Sequence, residues 1–137
     1  MYKYIILILI LFFTDIISKI FIERLKKRDR IVIIPKMLEI RYIRNKGAAY
    51  GIFQNNLIFL NILNTIFIFL LIYIFCITND HDKLLALCFI LGGGLGNHYS
   101  RLFKKYVVDY IYIPIKHSPV FNFADIFIVT GIIMYIL

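Results

Sequence analysis

Residues 57–78 read LIFLNILNTIFIFLLIYIFCIT, an apolar stretch without a charged side chain. About 20 consecutive, mostly apolar residues form an α-helix long enough to cross the hydrocarbon core of a bilayer. Three more apolar stretches occur, at 4–22, 84–99 and 120–137, in a chain of 137 residues that is 61% hydrophobic. This composition is too apolar for a small soluble domain. We therefore expect an all-α integral membrane protein with four transmembrane helices, forming a single domain over residues 1–137.

The loop between the first two apolar stretches is rich in strand-forming residues, over about 31–54. Residues 31–34 are β-branched, and Leu38, Ile40 and Tyr42 alternate with Glu39 and Arg41. Alternation with a period of two is typical of a strand with one buried face. The pattern predicts a small sheet beside the membrane, between helices 1 and 2.

Two acids, Asp109 and Asp125, lie at the edges of hydrophobic segments. A charged side chain at a helix centre costs roughly 2.5 to 3.5 kcal/mol on insertion scales, so such residues usually have a function. Taken singly, each acid could equally be a helix cap or a solvent-facing residue. As a pair they fit an aspartic dyad, in which one carboxyl keeps a proton and the other is ionised. Such a pair can activate water against a peptide carbonyl.

Other polar residues interrupt the apolar sequence and fall on the same side of a four-helix arrangement. They are Asp15, Ser18 and Lys19 in the first stretch, Asn45 and Gly47 in the loop, Asn97 near the end of the third stretch and Arg101 just after it, and Asn122 before Asp125. Asp15 and Lys19 are four residues apart, which alone indicates a helix-end ion pair. Because these residues all fall on the same side of the bundle, we expect them to form one common site.

The run GGGLGN at 92–97 indicates close contact between helices at the end of the third helix. It lacks the spacing and the Lys-Ser or Lys-Thr pair of a phosphate-binding loop. Three histidines show no zinc-protease spacing, no GxSxG motif occurs, and two cysteines suggest neither a disulfide framework nor a metal site. We expect no metal, no cofactor and no nucleic-acid partner.

Five ordered motifs resemble the lipoprotein signal peptidase family, signal peptidase II of bacteria. DIISK at 15–19 resembles D-x-x-S/T-K, and RNKGAAY at 44–50 resembles R-N-x-G-A-A-F. GGLGNHYSR at 93–101 resembles G-A-L-G-N-x-x-D-R. VVD at 107–109 and FNFAD at 121–125 resemble V-V-D and F-N-F/L-A-D. One departure is Ser100, where the family has an aspartate before the arginine, which puts any ion pair of Arg101 in question.

The resemblance implies a membrane aspartyl endopeptidase that removes the signal peptide from prolipoproteins, cutting before the diacylglyceryl-modified cysteine. Asp109 and Asp125 would be the catalytic pair, with Asn45, Gly47, Asn97, Arg101 and Asn122 lining the site, and Asp15 and Lys19 supporting it. The resemblance also implies a β-cradle outside the cytoplasm. We expect a monomer that contacts membrane lipids and spans the bacterial cytoplasmic membrane several times, with its active site on the extracytoplasmic side.

Charge alone favours the opposite orientation. Most of the 16 basic residues flank the loops at 23–56 and 100–119, whereas Lys3 and Lys83 lie on the other side. The positive-inside rule would place the basic loops in the cytoplasm, although basic residues also attract anionic lipid head groups. Two other functions fit the polar residues: an ion or proton transporter or channel subunit that uses Asp15, Asp109 and Asp125, and a noncatalytic scaffold.

Overall fold

Helices dominate the structure, a computed structural model that describes residues 1–25, 30–47, 56–115 and 118–137. Its elements in chain order are α1 (Tyr2–Arg24), β1 (Arg30–Ile34), β2 (Leu38–Asn45), α2 (Leu57–Ile77), α3 (His81–Lys104), β3 (Val107–Tyr112), β4 (Val120–Phe121) and α4 (Phe123–Ile136). The structure is therefore mostly helical with a small sheet, and residues 48–54 of the predicted strand-rich loop lie outside the described residues.

Two helices, α1 and α2, are long and apolar enough to cross a membrane, and α4 is an apolar helix of 14 residues. Their outward faces carry large exposed hydrophobic side chains such as Ile6, Phe69 and Ile133. Such a surface suits contact with lipid rather than water.

Helix α3 is the centre of the bundle, because it packs against α1, α2 and α4. Eleven of its residues are buried, including the polar residues Asn97 and Ser100. Neighbouring helices shield these groups from lipid, where an unsatisfied polar group would be costly. The shielding explains why this helix can carry buried polar residues. The helix also runs on to Lys104, beyond the predicted boundary at residue 99.

Glycines bring α1 and α4 close to α3. A Cβ atom at Gly92 would lie 2.6 Å from the Cβ of Leu11, and one at Gly93 would overlap the carbonyl oxygen of Ala124. A Cβ at Gly96 would overlap the carboxylate of Asp15. The expected close helix contact is therefore present, but the helix continues through the glycines instead of ending there.

The sheet is larger than predicted. Its four described strands are antiparallel in the order β1-β2-β3-β4. Strands β3 and β4 come from the connection between α3 and α4, so the prediction of a sheet confined to the connection between helices 1 and 2 was incomplete. Strand β2 pairs with β1 on one edge and with β3 on the other, and the β2–β3 pairing places Ile43 opposite Asp109. The sheet thus carries one of the two acids.

The last apolar stretch does not begin as a helix. Residues 120–121 form β4, and Asn122 is the N-cap of α4. Its side chain accepts a hydrogen bond from the backbone N–H of Asp125, whose carboxylate accepts one from the backbone N–H of Asn122. This reciprocal capping box fixes the start of the helix and places Asp125 in its first turn.

Candidate active site

Asp109 and Asp125 line the same cavity, although they come from different elements. Asp109 lies on β3, and Asp125 lies in the first turn of α4. The cavity has a volume of about 890 Å³ and is bordered by the sheet and by α3 and α4. Asn45, Asn97, Arg101 and Asn122 also line it. A large cavity with a few convergent polar groups is typical of a binding or catalytic site.

Asn122 joins the two acids. Its side-chain amide donates a hydrogen bond of 2.7 Å to Oδ1 of Asp109, while its backbone N–H donates to Oδ2 of Asp125 at 3.0 Å. The side chain is only 1% exposed. A residue that starts α4 therefore also sets the position of both carboxylates.

Asn97 extends the network from α3. Its amide nitrogen donates to Oδ1 of Asp125 at 2.8 Å, and its oxygen accepts hydrogen bonds from Asn122 at 3.3 Å and from the ammonium group of Lys19 at 2.8 Å. Because one lysine and one asparagine donate to the same oxygen, the orientation of the Asn97 amide is fixed, and its N–H₂ group points to Asp125.

Asp15 and Lys19 form a buried ion pair behind the cavity. The ammonium group of Lys19 lies 2.6 Å from Oδ2 of Asp15, and the two residues are 1% and 0% exposed. Oδ1 of Asp15 accepts a hydrogen bond of 3.0 Å from the backbone N–H of Ala124. A buried charge needs such partners to be tolerated. The pair connects α1 to α3 through Asn97 and to the first turn of α4 through Ala124.

Asn45 approaches from the sheet. Its amide donates to Oδ2 of Asp109 at 2.9 Å, and its oxygen accepts from the backbone N–H of Gly47 at 2.9 Å. The carbonyl of Gly47 in turn accepts a longer hydrogen bond of 3.4 Å from Arg101. The nine residues that the resemblance assigns to the site thus belong to one continuous hydrogen-bonded network.

Arg101 places a positive charge beside the two acids. Its pairing in the described part of the chain is incomplete, because it forms no salt bridge there and its Nε is buried without a hydrogen-bond partner. Ser100 stands where the family motif has an acid, and its hydroxyl donates to the carbonyl of Gly96. The guanidinium group therefore borders the cavity without a carboxylate partner among the described residues.

Burial raises the pKa of Asp109, and the negative charge of Asp125 raises it further. Hydrogen bonds from Asn45 and Asn122 act in the opposite direction but do not cancel this effect. Asp109 therefore favours the protonated form at higher pH than an exposed aspartate.

Tyr110 also contacts the elements around the site, although it was not among the candidate residues from the sequence. It follows Asp109 on β3, so its side chain points to the opposite face of the strand. Its hydroxyl donates to Ser18 on α1 at 2.7 Å and accepts a hydrogen bond of 3.4 Å from the backbone N–H of Phe123. Burial raises the pKa of Tyr110 to about 12, so it stays neutral. Its position next to Asp109 was the only feature of the sequence that could have indicated this role.

No group of three or more potential metal ligands is present in the ranges that the structure describes. The acids at the cavity have amides, an ammonium group and each other as neighbours. Their hydrogen-bond partners are donors, namely the side-chain amides of Asn45, Asn97 and Asn122 and the backbone N–H of Asn122.

The chain is similar to known proteins over nearly its whole length. The family model described as signal peptidase (SPase) II matches residues 7–137. A lipoprotein signal peptidase of Clostridium novyi is 37% identical over 126 residues, which cover 88% of this chain and 85% of that protein. One of Clostridium tetani is 34% identical over 139 residues, covering 97% and 89%.

A solved structure is similar in fold as well. A bacterial membrane enzyme determined by the in meso method at 2.3 Å resolution has a TM-score of 0.91 and 30% sequence identity. The similarity covers 99% of this chain and 86% of that one. A second such enzyme, at 1.9 Å resolution, has a TM-score of 0.88 at 30% identity. On the family match and these relatives, the chain belongs to the signal peptidase II family.

Proposed function

We propose that this protein is a membrane aspartic endopeptidase that removes the signal peptide from prolipoproteins, cutting before the diacylglyceryl-modified cysteine, with Asp109 and Asp125 as its catalytic pair. Family membership supports the reaction. The observation that carries the residue assignment is Asn122, which hydrogen-bonds both acids at one cavity wall.

The charges at the site support a shared proton. Among the described residues, the network holds three carboxyl groups, of Asp15, Asp109 and Asp125, and two cationic groups, of Lys19 and Arg101. One proton retained by the catalytic pair makes this set electrically neutral, which a poorly solvated site favours. Because the pKa of Asp109 is raised, Asp109 is the partner that keeps the proton.

The reaction then follows general acid–base logic. Ionised Asp125 takes a proton from the attacking water, whose oxygen bonds to the carbonyl carbon of the scissile peptide. Protonated Asp109 donates its proton to the carbonyl oxygen, giving a neutral tetrahedral diol. Collapse of the diol breaks the C–N bond as Asp125 returns a proton to the leaving nitrogen and Asp109 recovers one from a hydroxyl group. No covalent enzyme intermediate is needed.

Arg101 suits substrate binding in this scheme. Its guanidinium group borders the cavity near the charges of both acids, where it can donate a hydrogen bond to a peptide carbonyl oxygen. Lys19 and Asp15 do not line the cavity but hold Asn97 and the start of α4. They position the acids without touching substrate.

We further propose that all four helices cross the bacterial cytoplasmic membrane, with the sheet and the site on the extracytoplasmic side, in a monomer that contacts membrane lipids. The apolar surfaces of α1, α2 and α4 support this arrangement, and α3 crosses inside them. A transport path would need polar groups along the whole bundle, whereas the buried polar residues of α1 and α3 lie in the C-terminal halves of these helices, near the sheet.

The test is cleavage of a diacylated lipobox peptide by the purified protein. Asp109→Asn and Asp125→Asn keep the side-chain shape but remove proton transfer, so each is expected to lower kcat by at least about 100-fold. Asp82→Asn, in the exposed first turn of α3, is the matched control and should cleave normally. Cleavage at the normal rate by either site variant would exclude the dyad. Ion flux in liposomes without peptide cleavage would favour the transporter instead.

A further inference from the structure

A second, smaller cavity adjoins the site. It has a volume of about 230 Å³ and lies between α2, α3 and α4. Four of its lining residues also line the larger cavity: Asn97, Arg101, Asp125 and Ile128. The smaller cavity therefore opens beside Asp125.

The lining of this cavity changes from polar to apolar with distance from the site. Asn97, Arg101 and Asp125 form the end shared with the larger cavity. The remaining lining comes from α2 and α3 and is mostly apolar: Phe67, Ile68, Leu71 and Ile90, together with Asn64 and Gly94. The shared residue Ile128 adds an apolar side chain from α4. An apolar cavity of about 150 Å³ can hold a benzene ring, so this one has room for an aliphatic or aromatic side chain.

Gly94 is the one glycine of the run 92–96 that helix packing does not explain. A Cβ atom at Gly92, Gly93 or Gly96 would press against α1 or α4, whereas a Cβ at Gly94 would meet nothing within 4 Å. Gly94 faces the smaller cavity. In the family motif G-A-L-G-N, which residues 93–97 resemble, this position is alanine. The missing methyl group therefore adds open volume to the cavity without serving the packing of the bundle.

We propose that the smaller cavity receives an apolar side chain of the signal peptide next to the scissile bond, and that Gly94 sets the size of side chain that this enzyme accepts. The inference rests on the proposed function, because the scissile peptide must lie at Asp125. A side chain projecting from that peptide enters the cavity past its polar end and buries its apolar part between the helices, which is favourable in proportion to the area removed from water.

The test measures kcat/KM on a panel of diacylated peptides in which each of the three residues before the lipidated cysteine is in turn Ala, Val, Leu or Phe. Gly94→Ala and Gly94→Val fill the cavity stepwise. At one peptide position, Gly94→Val should lower kcat/KM for Leu and Phe by about tenfold or more relative to Ala, because one methyl or methylene group in an apolar pocket changes discrimination by that amount. Gly94→Ala should lower kcat/KM for the same peptides, but by a smaller factor.

Two further variants distinguish an effect of cavity size from a general loss of structure. Leu102→Val introduces valine into the same helix at an exposed position that does not line the cavity, and should leave the peptide preference unchanged. Phe67→Ala enlarges the opposite wall, where Phe67 is 54% exposed. Combined with Gly94→Val, it should restore cleavage of the Leu and Phe peptides.

Four results would overturn the inference. An equal loss on all peptides with Gly94→Val would show that Gly94 acts on the structure and not on size selection. On matched peptides that differ only in acyl-chain length, a loss with Gly94→Val that follows this length would assign the cavity to lipid instead of a side chain. If the unsubstituted protein cleaved no peptide, the proposed function would fail and this inference with it, whereas uniform cleavage by every Gly94 variant would reject the inference alone.

Discussion

Asp109 is the residue at which pH dependence can be tested. Its pKa is raised, so we expect the proposed catalytic pair to keep its shared proton to higher pH than an exposed aspartate would. Loss of that proton should end activity on the alkaline side. Asn45 donates to Asp109 at 2.9 Å and lowers its pKa. Asn45→Ala removes this donor, so the pKa of Asp109 should rise and the alkaline limb of the kcat profile should move to higher pH.

The measurement is kcat against pH for the unsubstituted protein and Asn45→Ala on one saturating peptide. Arg41→Ala, a change on the same strand away from the cavity lining, is the control and should keep the original limb. A limb that moved to lower pH in Asn45→Ala would contradict the assigned direction. A pair of this kind titrates as a unit, so the limb reports the shared proton.

Asn122 caps α4 and donates a hydrogen bond to Asp109, and different substitutions affect these two roles differently. Serine is as good an N-cap as asparagine, whereas alanine costs about 0.5 to 2 kcal/mol. Asn122→Ser should therefore keep α4 more stable than Asn122→Ala does. Neither replacement has an amide that can reach Asp109, so both should lose activity, by about 100-fold if the acids shift by 1 Å.

Thermal unfolding in detergent measures the first effect, and peptide cleavage measures the second. Asn56→Ser is the matched control, since Asn56 caps α2 away from the cavity and should retain activity. Full activity in Asn122→Ser would mean that the amide donor to Asp109 is dispensable.

At the level of elements, the glycines of α3 allow a paired prediction. Alanine is favoured over glycine in a helix by about 1 kcal/mol. Gly94→Ala should gain part of this stability because the added Cβ meets open space. Gly96→Ala adds the same atom against the carboxylate of Asp15, and overpacking of this kind typically costs about 1 to 3 kcal/mol.

The two variants should thus shift the unfolding midpoint in opposite directions, as measured by thermal unfolding of the purified proteins. Since Asp15 also holds Lys19 and Ala124, Gly96→Ala should lower peptide cleavage too. Equal stability of the two variants would show that α1 can move away from α3 without loss of stability.

The elements show where sequence reasoning succeeds. Long apolar runs identified α1 and α2, and the alternation at 38–42 identified β2, because each pattern is contained in one segment. Strand β3 was missed since its residues, VVDYIY, pair with β2 from a distant part of the chain. The roles of Tyr110 and of Ala124's N–H depend on which face of a strand or turn meets α1. Only the tertiary packing determines which face meets α1, so the sequence patterns could not predict these contacts.

For the whole molecule, orientation is the sharpest open prediction, because the charge distribution and the proposed extracytoplasmic site disagree. Lys36 lies in the exposed turn between β1 and β2, and Asp82 lies at the other end of the bundle, in the first turn of α3. In a Cys76→Ser background, a membrane-impermeant maleimide should label Lys36→Cys in intact cells and Asp82→Cys only after lysis. Cys88 is buried, so it should stay unlabelled.

The reverse labelling pattern would place the sheet in the cytoplasm and reject the proposed location of the site. Retained cleavage activity in both cysteine variants is the control, since neither position lines the cavity. Labelling of both positions before lysis would indicate leaky cells, which a cytosolic marker protein detects.

The dual role of Asn122 has a consequence for biogenesis. The residue that starts the last helix also orients the acid on β3, so the proposed catalytic pair is complete only when the final segment has docked. A nascent chain halted before residue 122 would possess the sheet acid without its partner or its orienting amide. On the proposed assignment, the protein therefore becomes active only after α4 has docked against the sheet.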